Sequence, residues 1–328
     1  MKVRRIALSF RSALTVAAIA CLFTLPAAAS AEGTFQRTLQ VTGSVNLEVS
    51  TGSGNVEVYA GSAGSVGIVG YVKATGWFDS SAEEKVHKIE SNPPIVQNGN
   101  TIRVGQIDDP ELRRNISISY KVTVPAETQL KSHSGSGNQT VDGIAGPAEI
   151  GSGSGSLKVS NVGGAVRADT GSGNIDIDKV KGNVQAKAGS GSIHATDISG
   201  GFSADTGSGH ISLEQSAPGA VNVATGSGGM ELHGVHGSLE AKTGSGTITA
   251  EGAPTGAWTV RTGSGSIRLR LPQNASFDLA AHTSSGSISV DQPVTVQGSI
   301  GRKDIHGKVR GGGVPVDVET GSGSIDIQ

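Results

Sequence analysis

The chain has 328 residues, 50 of them Gly, with 3% aromatic and 16% charged residues and a formal net charge of -2. That balance provides no basic stripe for nucleic acid and no polybasic patch for a membrane surface, and it is poor in the side chains that anchor ligands or perform catalysis. Hydrophobic content of 35% reaches about half when Gly is added, so composition does not require disorder.

Lys2, Arg4, Arg5 and Arg11 form a positive n-region, Ala13 to Leu25 an apolar stretch, and Ala29-Ser30-Ala31 an A-x-A cleavage site. Together they predict a signal peptide over residues 1–31 and an exported protein, in the periplasm, at the cell surface or secreted. The one cysteine, Cys21, falls in this leader, so neither an internal disulfide nor thiol chemistry is expected of the mature chain. Ala18-Ile19-Ala20 before Cys21 departs from a lipoprotein box, which weighs against lipid anchoring there, and Arg4-Arg5 is a weaker twin-arginine hint. No later segment is apolar enough for an integral membrane span.

An N-terminal β portion is expected over residues 32–133. Leu39-Gln40-Val41, Val45 to Val49 and Val56-Glu57-Val58 alternate as strands, the last two joined by a Thr51-Gly52-Ser53-Gly54 turn. Ser81-Ala82-Glu83-Glu84 reads as a capping box opening a short helical insertion near residues 80–90, ended by Pro93-Pro94. Strands resume at Ile95-Val96, at Thr101 to Val104 and along Ile116 to Val124.

From Ser134 to Gln328 the sequence repeats. Exact or near copies of Thr-Gly-Ser-Gly begin at 134, 152, 170, 188, 206, 225, 243, 262, 283 and 320, mostly 18 or 19 residues apart. Each unit holds two short strands, such as Ile175-Asp176-Ile177 and Val184-Gln185-Ala186, and a second turn such as Lys181-Gly182-Asn183. A flat meander of such strands would leave its apolar face uncovered, whereas a coil returning above its own start buries both inner rows. The expected fold is therefore all-β, a parallel β-solenoid (β-helix) of ~18-residue coils, right-handed by the crossover rule. Stacking would place Ile175, Ile193, Ile211, Met230, Ile248 and Ile267 in one internal ladder. The turn glycines are expected to supply positive φ and close approach, and the narrow interior to take Ala168, Ala186, Ala204 and Ala224 rather than Phe or Trp.

The alternating Ile116 to Val124 strand before Pro125, the Thr-Gly-Ser-Gly-x-Ile-x-Ile repeats, Leu271-Pro272-Gln273-Asn274-Ala275-Ser276-Phe277, and Gly311-Gly312-Gly313 to Ile327 resemble the bacterial candidate-adhesin family of β-strand repeats, a domain of unknown function. The resemblance implies an exported β-solenoid at the cell envelope, with some relatives implicated in sensing envelope stress or antimicrobial peptides. It implies no catalytic residues.

The Gly-Ser-Gly turns are followed by strands, not by the helix that a phosphate loop needs, and no G-x-S-x-G elbow is present. His233 and His236 are three apart but sit on different parts of the repeat from His194 and His210, and Asp176, Asp178 and Asp326 lack a calcium β-roll pattern. No metal and no cofactor is expected. One column stands out: Thr170/Ser172, Thr206/Ser208, Thr225/Ser227, Thr243/Ser245, Thr262/Ser264 and Thr320/Ser322 form a Thr-x-Ser ladder. Such a ladder is either an outward hydroxyl row for a repetitive surface or a set of turn hydrogen bonds, the second being the expected role.

The sequence thus points to a non-enzymatic envelope or surface scaffold that binds an envelope, glycan or protein ligand and no nucleic acid. A stress-sensing or peptide-sensing regulator is the alternative, and a polysaccharide-acting β-helix enzyme a remote one, since the charges show no shared column and no aromatics are available to stack sugars. The strand at Ile325 to Gln328 reads as a bare edge, which leaves end-to-end self-association open.

Overall fold

The alternation of the repeat fixes which side chains turn inward. In Val166–Thr170, Val166, Ala168 and Thr170 are buried while Arg167 and Asp169 point out. The computed structural model describes residues 30–75, 81–296 and 301–328; the leader reading lies outside them up to residue 29, Cys21 included, while Ser30 and Ala31 of its cleavage site stand in a strand opposite Thr75 and Ala74. The described residues form 27 strands and two helices.

Val166–Thr170 pairs in parallel with Val184–Ala188, Val166 opposite Val184, and Ile175–Val180 pairs with Ile193–Ile198, Ile175 opposite Ile193. The partners are 18 residues apart, so the chain makes two passes per repeat and returns above its own start in a solenoid-like stack. Strands that lead into a Thr-Gly-Ser-Gly turn form a first face, and strands that leave it form a second. On the second face Ile175, Ile193, Ile211, Met230, Ile248 and Ile267 stand in a single column, each at most 1% exposed. Each such side chain contributes about 1.5–3 kcal/mol through its burial.

The first face corrects two expectations. Its inner column runs Ala168, Ala186, Ala204, Val223, Ala241 and Val260, so Ala224 is not among the fillers. The gap of 19 before Thr225 carries one extra residue, and a slip of one residue moves a side chain to the opposite side of the strand. Large aromatics are also accommodated. Phe202 and Trp258 are buried in a column with Val184, Val221 and Leu239, and Trp258 Nε1 donates to Gly237 O at 3.0 Å.

In the earlier coils the turns require glycine for closeness, and in the later ones Gly228, Gly246, Gly265, Gly286 and Gly323 combine that closeness with φ between 149° and 157°. A Cβ on Gly173 would lie 2.1 Å from Gly155 O of the preceding coil, and one on Gly155 would lie 1.9 Å from Gly137 O. Left-handed backbone at residues other than glycine recurs at a bulge on the second face, where Asn161, Lys179 and Asp197 have φ of 56°, 55° and 54°. These residues occupy equivalent register positions, and the bulge turns Val162, Val180 and Ile198 back into the core.

The parallel stack continues through the N-terminal strands, Val45–Thr51 beside Thr128–Ser134 and Val56–Ala60 beside Gln139–Asp142. Beyond them the sheet turns antiparallel: Ile116–Val124 pairs with Ser65–Thr75, which pairs with Ser30–Gln40. Helix Ala82–Ser91 packs Ala82, Val86 and Ile89 on that antiparallel layer. It starts where the capping-box reading placed it, with Ser81 at the N-cap, but no side-chain cap hydrogen bond forms there. A second short helix, Pro110–Arg113, escaped the sequence reading although Asp109 caps it by accepting from Glu111 N at 2.9 Å.

At the other end, Ile325–Ile327 is no bare edge, because it pairs in parallel with Ile267–Arg270 on one side and Ile288–Val290 on the other. Phe277–Ser285 is flanked by the antiparallel strand Asp304–Val309, itself paired with Val294–Val296.

Replacing Gly173 by Val should destabilise the fold by several kcal/mol, since backbone of the neighbouring coil would have to move. Urea denaturation with an unchanged midpoint would contradict the close approach. Tyr120 makes a second test: its ring meets Phe35 edge-on at 6.4 Å, its hydroxyl is buried with no partner, and burial raises its pKa well above 10.0. With the folded value raised, its contribution to stability is complete below the unfolded pKa and is lost as pH climbs above about 10. Tyr120→Phe should therefore be neutral or stabilising at pH 7 and should flatten the alkaline fall in melting temperature between about pH 10 and 12.

Candidate binding groove

Because the strands stack in register, outward residues also fall into columns, about 4.8 Å apart. On the first face one column reads Arg103, Glu48, Lys131, Glu149, Arg167, Gln185, Ser203 and Asn222. Its charges alternate in sign, contrary to the reading that no column is shared. Arg103 Nε lies 3.3 Å from Glu48 Oε2, Lys131 Nζ 3.6 Å from Glu149 Oε2, and Arg167 Nε 2.9 Å from Asp169 Oδ2. Arg167 also donates to Gln185 Oε1. All these side chains are well exposed, so the pairs neutralise one another more than they stabilise the fold.

Beside this column lie the residues that precede each first-face strand: Pro147, Ala165, Asn183, Gly201 and Ala220. Being mostly small, they leave a groove of about 1120 Å³ that crosses from Thr101–Val104 to Val221–Ser227. Eight strand edges contribute to it, a run of roughly 30 Å along the stack axis. The floor is apolar and small; the wall is charged toward Arg103 and uncharged but polar toward Asn222. A smaller depression of about 550 Å³ adjoins it where Gly151 interrupts the next outward column between His133 and Asp169. Lys131 and Glu149 line both. Recurrence of Pro, Ala or Gly at 147, 165, 201 and 220, interrupted by Asn183, was the available sequence signal for the groove.

The Thr-x-Ser ladder is divided by the structure. Its threonines are buried, and each hydroxyl donates to a glycine carbonyl of the adjacent coil: Thr170 to Gly155 at 2.8 Å, Thr206 to Gly191 at 2.8 Å, and Thr225, Thr243 and Thr262 to Gly209, Gly228 and Gly246 at 3.1 Å. Thr320 does the same to Gly265 at 2.9 Å. An outward hydroxyl row therefore cannot include them, since strand alternation carries them into the interior. Ser172, Ser208, Ser227, Ser245 and Ser264 lie on the exposed turn, away from the groove.

His233 has a carboxylate neighbour that its sequence surroundings did not reveal, Glu251 Oε2 at 3.3 Å from the next coil. His236 Nδ1 lies 2.8 Å from Gly234 O, and His194 stacks between Asp176 and Ser212. Lys179 Nζ at 2.8 Å, with the Thr196 hydroxyl, holds the Asp178 carboxyl below its ordinary pKa. Asp326 faces Arg268 at 3.5 Å. Among the described residues no group of three or more His, Cys, Asp or Glu side chains is placed to hold a metal ion, and no helix is long and apolar enough to cross a membrane.

The model of the Toastrack DUF4097 family matches residues 97–328. No curated protein matches the chain. Among solved structures, the chain is similar to a candidate cell adhesion protein from Clostridium sporogenes ATCC 15579, at 12% identity over 90% of this chain and 99% of that one, TM-score 0.22. A candidate adhesin from Bacteroides fragilis NCTC 9343 matches at 13% identity over 90% and 97%, TM-score 0.31. A candidate lipid binding protein from Parabacteroides distasonis ATCC 8503 matches at 14% identity over 90% and 96%, TM-score 0.39.

Thr206→Val, which keeps the shape and removes the donor, should cost about 1 kcal/mol in urea unfolding. Ser208→Ala on the exposed turn should stay within about 0.5 kcal/mol of the parent. Equal effects of the two would mean that the inter-coil hydroxyl bond carries no stability.

Proposed function

Since the chain belongs to the Toastrack DUF4097 family and carries one long groove on its first face, we propose that it is a non-enzymatic scaffold of the cell envelope that binds an extended polymer along its stack axis. The groove carries this reading. A compact substrate would be served by a closed pocket with convergent polar groups, whereas a trough about 1120 Å³ in volume, drawn out over successive strand edges, suits a chain that repeats contact after contact. The amides of Asn183, Gln185 and Asn222 offer donors and acceptors for hydroxyl or peptide groups. Ion pairing within the wall keeps net charge low, which favours a neutral polymer, a glycan strand above all, over a polyelectrolyte. Export follows from the leader at residues 1–31, and a right-handed coil from the crossover rule. Affinity would come from many weak contacts held in a rigid frame, with little ordering cost on the protein side.

Ala165 tests the groove because it is exposed on the floor. Ala165→Trp should fill the trough and lower binding to purified envelope glycan at least tenfold, with the melting temperature unchanged. Undiminished binding by that variant would place the glycan site elsewhere. Protease accessibility of the protein on intact and lysed cells tests export separately: cleavage on intact cells places the groove outside, protection until lysis places it inside the envelope.

A further inference from the structure

The order of coils in space departs from their order in sequence. The coil made of Val314–Ser322 and Ile325–Ile327 lies between the coil ending in Ile267–Arg270 and the coil made of Phe277–Ser285 and Ile288–Val290, both of which precede it in the chain. On either side the register is the same: Thr262, Thr320 and Thr283 stand in one column, and Ile267, Ile325 and Ile288 in another. Both walls of the slot are complete. Thr320 Oγ1 donates to Gly265 O at 2.9 Å, and Thr283 Oγ1 donates to Gly323 O at 3.0 Å.

The inserted coil is also matched by charge. Glu319 Oε2 lies 3.3 Å from Arg261 Nε, and Asp326 Oδ2 lies 3.5 Å from Arg268 Nε. Entry runs through a tight crossing over the start of the Phe277–Ser285 strand, where Arg310, Gly311 and Gly312 are successive left-handed residues with φ of 49°, 89° and 87°. Such a run is unfavourable for Arg, and an extended connection would relieve it.

We infer that the slot is a coil-exchange site whose partner is a second copy of this chain. The Val314–Gln328 segment of one copy enters the slot of the other, and the reverse, giving a swapped dimer. Glu319 and Asp326 of each copy then meet Arg261 and Arg268 of the other. Every contact of the closed form is kept and only the crossing changes, which is the condition for exchange of an identical element at low cost. Strand addition within a stack supplies main-chain hydrogen bonds, while the acidic pair on two arginines selects the coil. The inference is independent of the groove.

Two full-length chains test it, one carrying Arg261→Cys and the other Glu319→Cys, mixed after partial denaturation and refolded together under oxidising conditions, with Cys21→Ser in both. Only a coil supplied in trans brings the two new thiols together, so a crosslinked heterodimer on a non-reducing gel is expected. Gly311→Val with Gly312→Val strains the crossing further, since φ of 89° and 87° is unfavourable for a β-branched residue, and should raise the crosslinked fraction at least tenfold. If those hinge variants do not fold, the pair with the native hinge still gives the readout. Absence of heterodimer there, with both chains recovered folded and monomeric, would overturn the proposal.

Discussion

One contact between successive coils governs the rest of the molecule. Gly155 O receives the Thr170 hydroxyl at 2.8 Å and stands where a Cβ on Gly173 would lie 2.1 Å away. A single carbonyl thereby fixes two residue identities three positions apart in the next coil. The same arrangement joins Gly191 to Thr206 and Gly209. An extra residue between Thr and Gly would break either the bond or the approach, so length variation is confined to the stretches between turns, where spacings of 19 occur. Pinning the coils at this edge puts each inward residue opposite its counterpart, and the Ile column follows from that registration.

Registration has a cost on the outside. Parallel strands in register bring equal positions together, so identical charges repeated from coil to coil would face one another throughout the stack. The alternation of Arg103, Glu48, Lys131, Glu149 and Arg167 avoids this. Individual exposed pairs contribute little to stability, but the alternation removes a repulsion that would accumulate with every coil. It also leaves the first face nearly neutral, so the wall of the groove is polar without a strong field. Recognition there has to rest on shape and hydrogen bonding, which sets the chemistry of an acceptable ligand.

Features that depend on one coil were legible in the sequence, and features that depend on which coils are neighbours were much less so. Alternation in Ile175-Asp176-Ile177 identifies a strand whatever lies beside it, and a constant spacing identifies the stack. Ala224 was misplaced because the extra residue before it changes which side it faces, and no local pattern marks where within a coil that residue is absorbed. The motif at Ser81 marked the N-cap of the first helix correctly although its side-chain cap bond does not form, while Asp109 was passed over because a four-residue helix leaves no periodicity. Charge columns become visible only after register is known: Arg103 and Glu48 are 55 positions apart in the chain yet 3.3 Å apart in space. The groove was hidden for a different reason. It is made by small side chains, and Pro147, Ala165 and Gly201 read as ordinary turn residues until their spacing is set beside the stack.

The inserted coil marks the limit of reading order from sequence. Thr262, Thr283 and Thr320 begin nearly the same phrase, and each resulting coil offers the same Thr hydroxyl and the same final glycine to a neighbour, so these turn contacts do little to distinguish one sequence of coils from another. What distinguishes them is carried by the variable outward positions. Glu319 and Asp326 complement Arg261 and Arg268, whereas the coil that follows in the chain offers His282 and Ser289 at those places. A repeat that makes its coils interchangeable must encode their order in the residues that the repeat leaves free. The outer surface of this stack therefore serves assembly as well as binding: its charges choose neighbours in one region, and in another their mutual neutralisation leaves a long, low-charge groove.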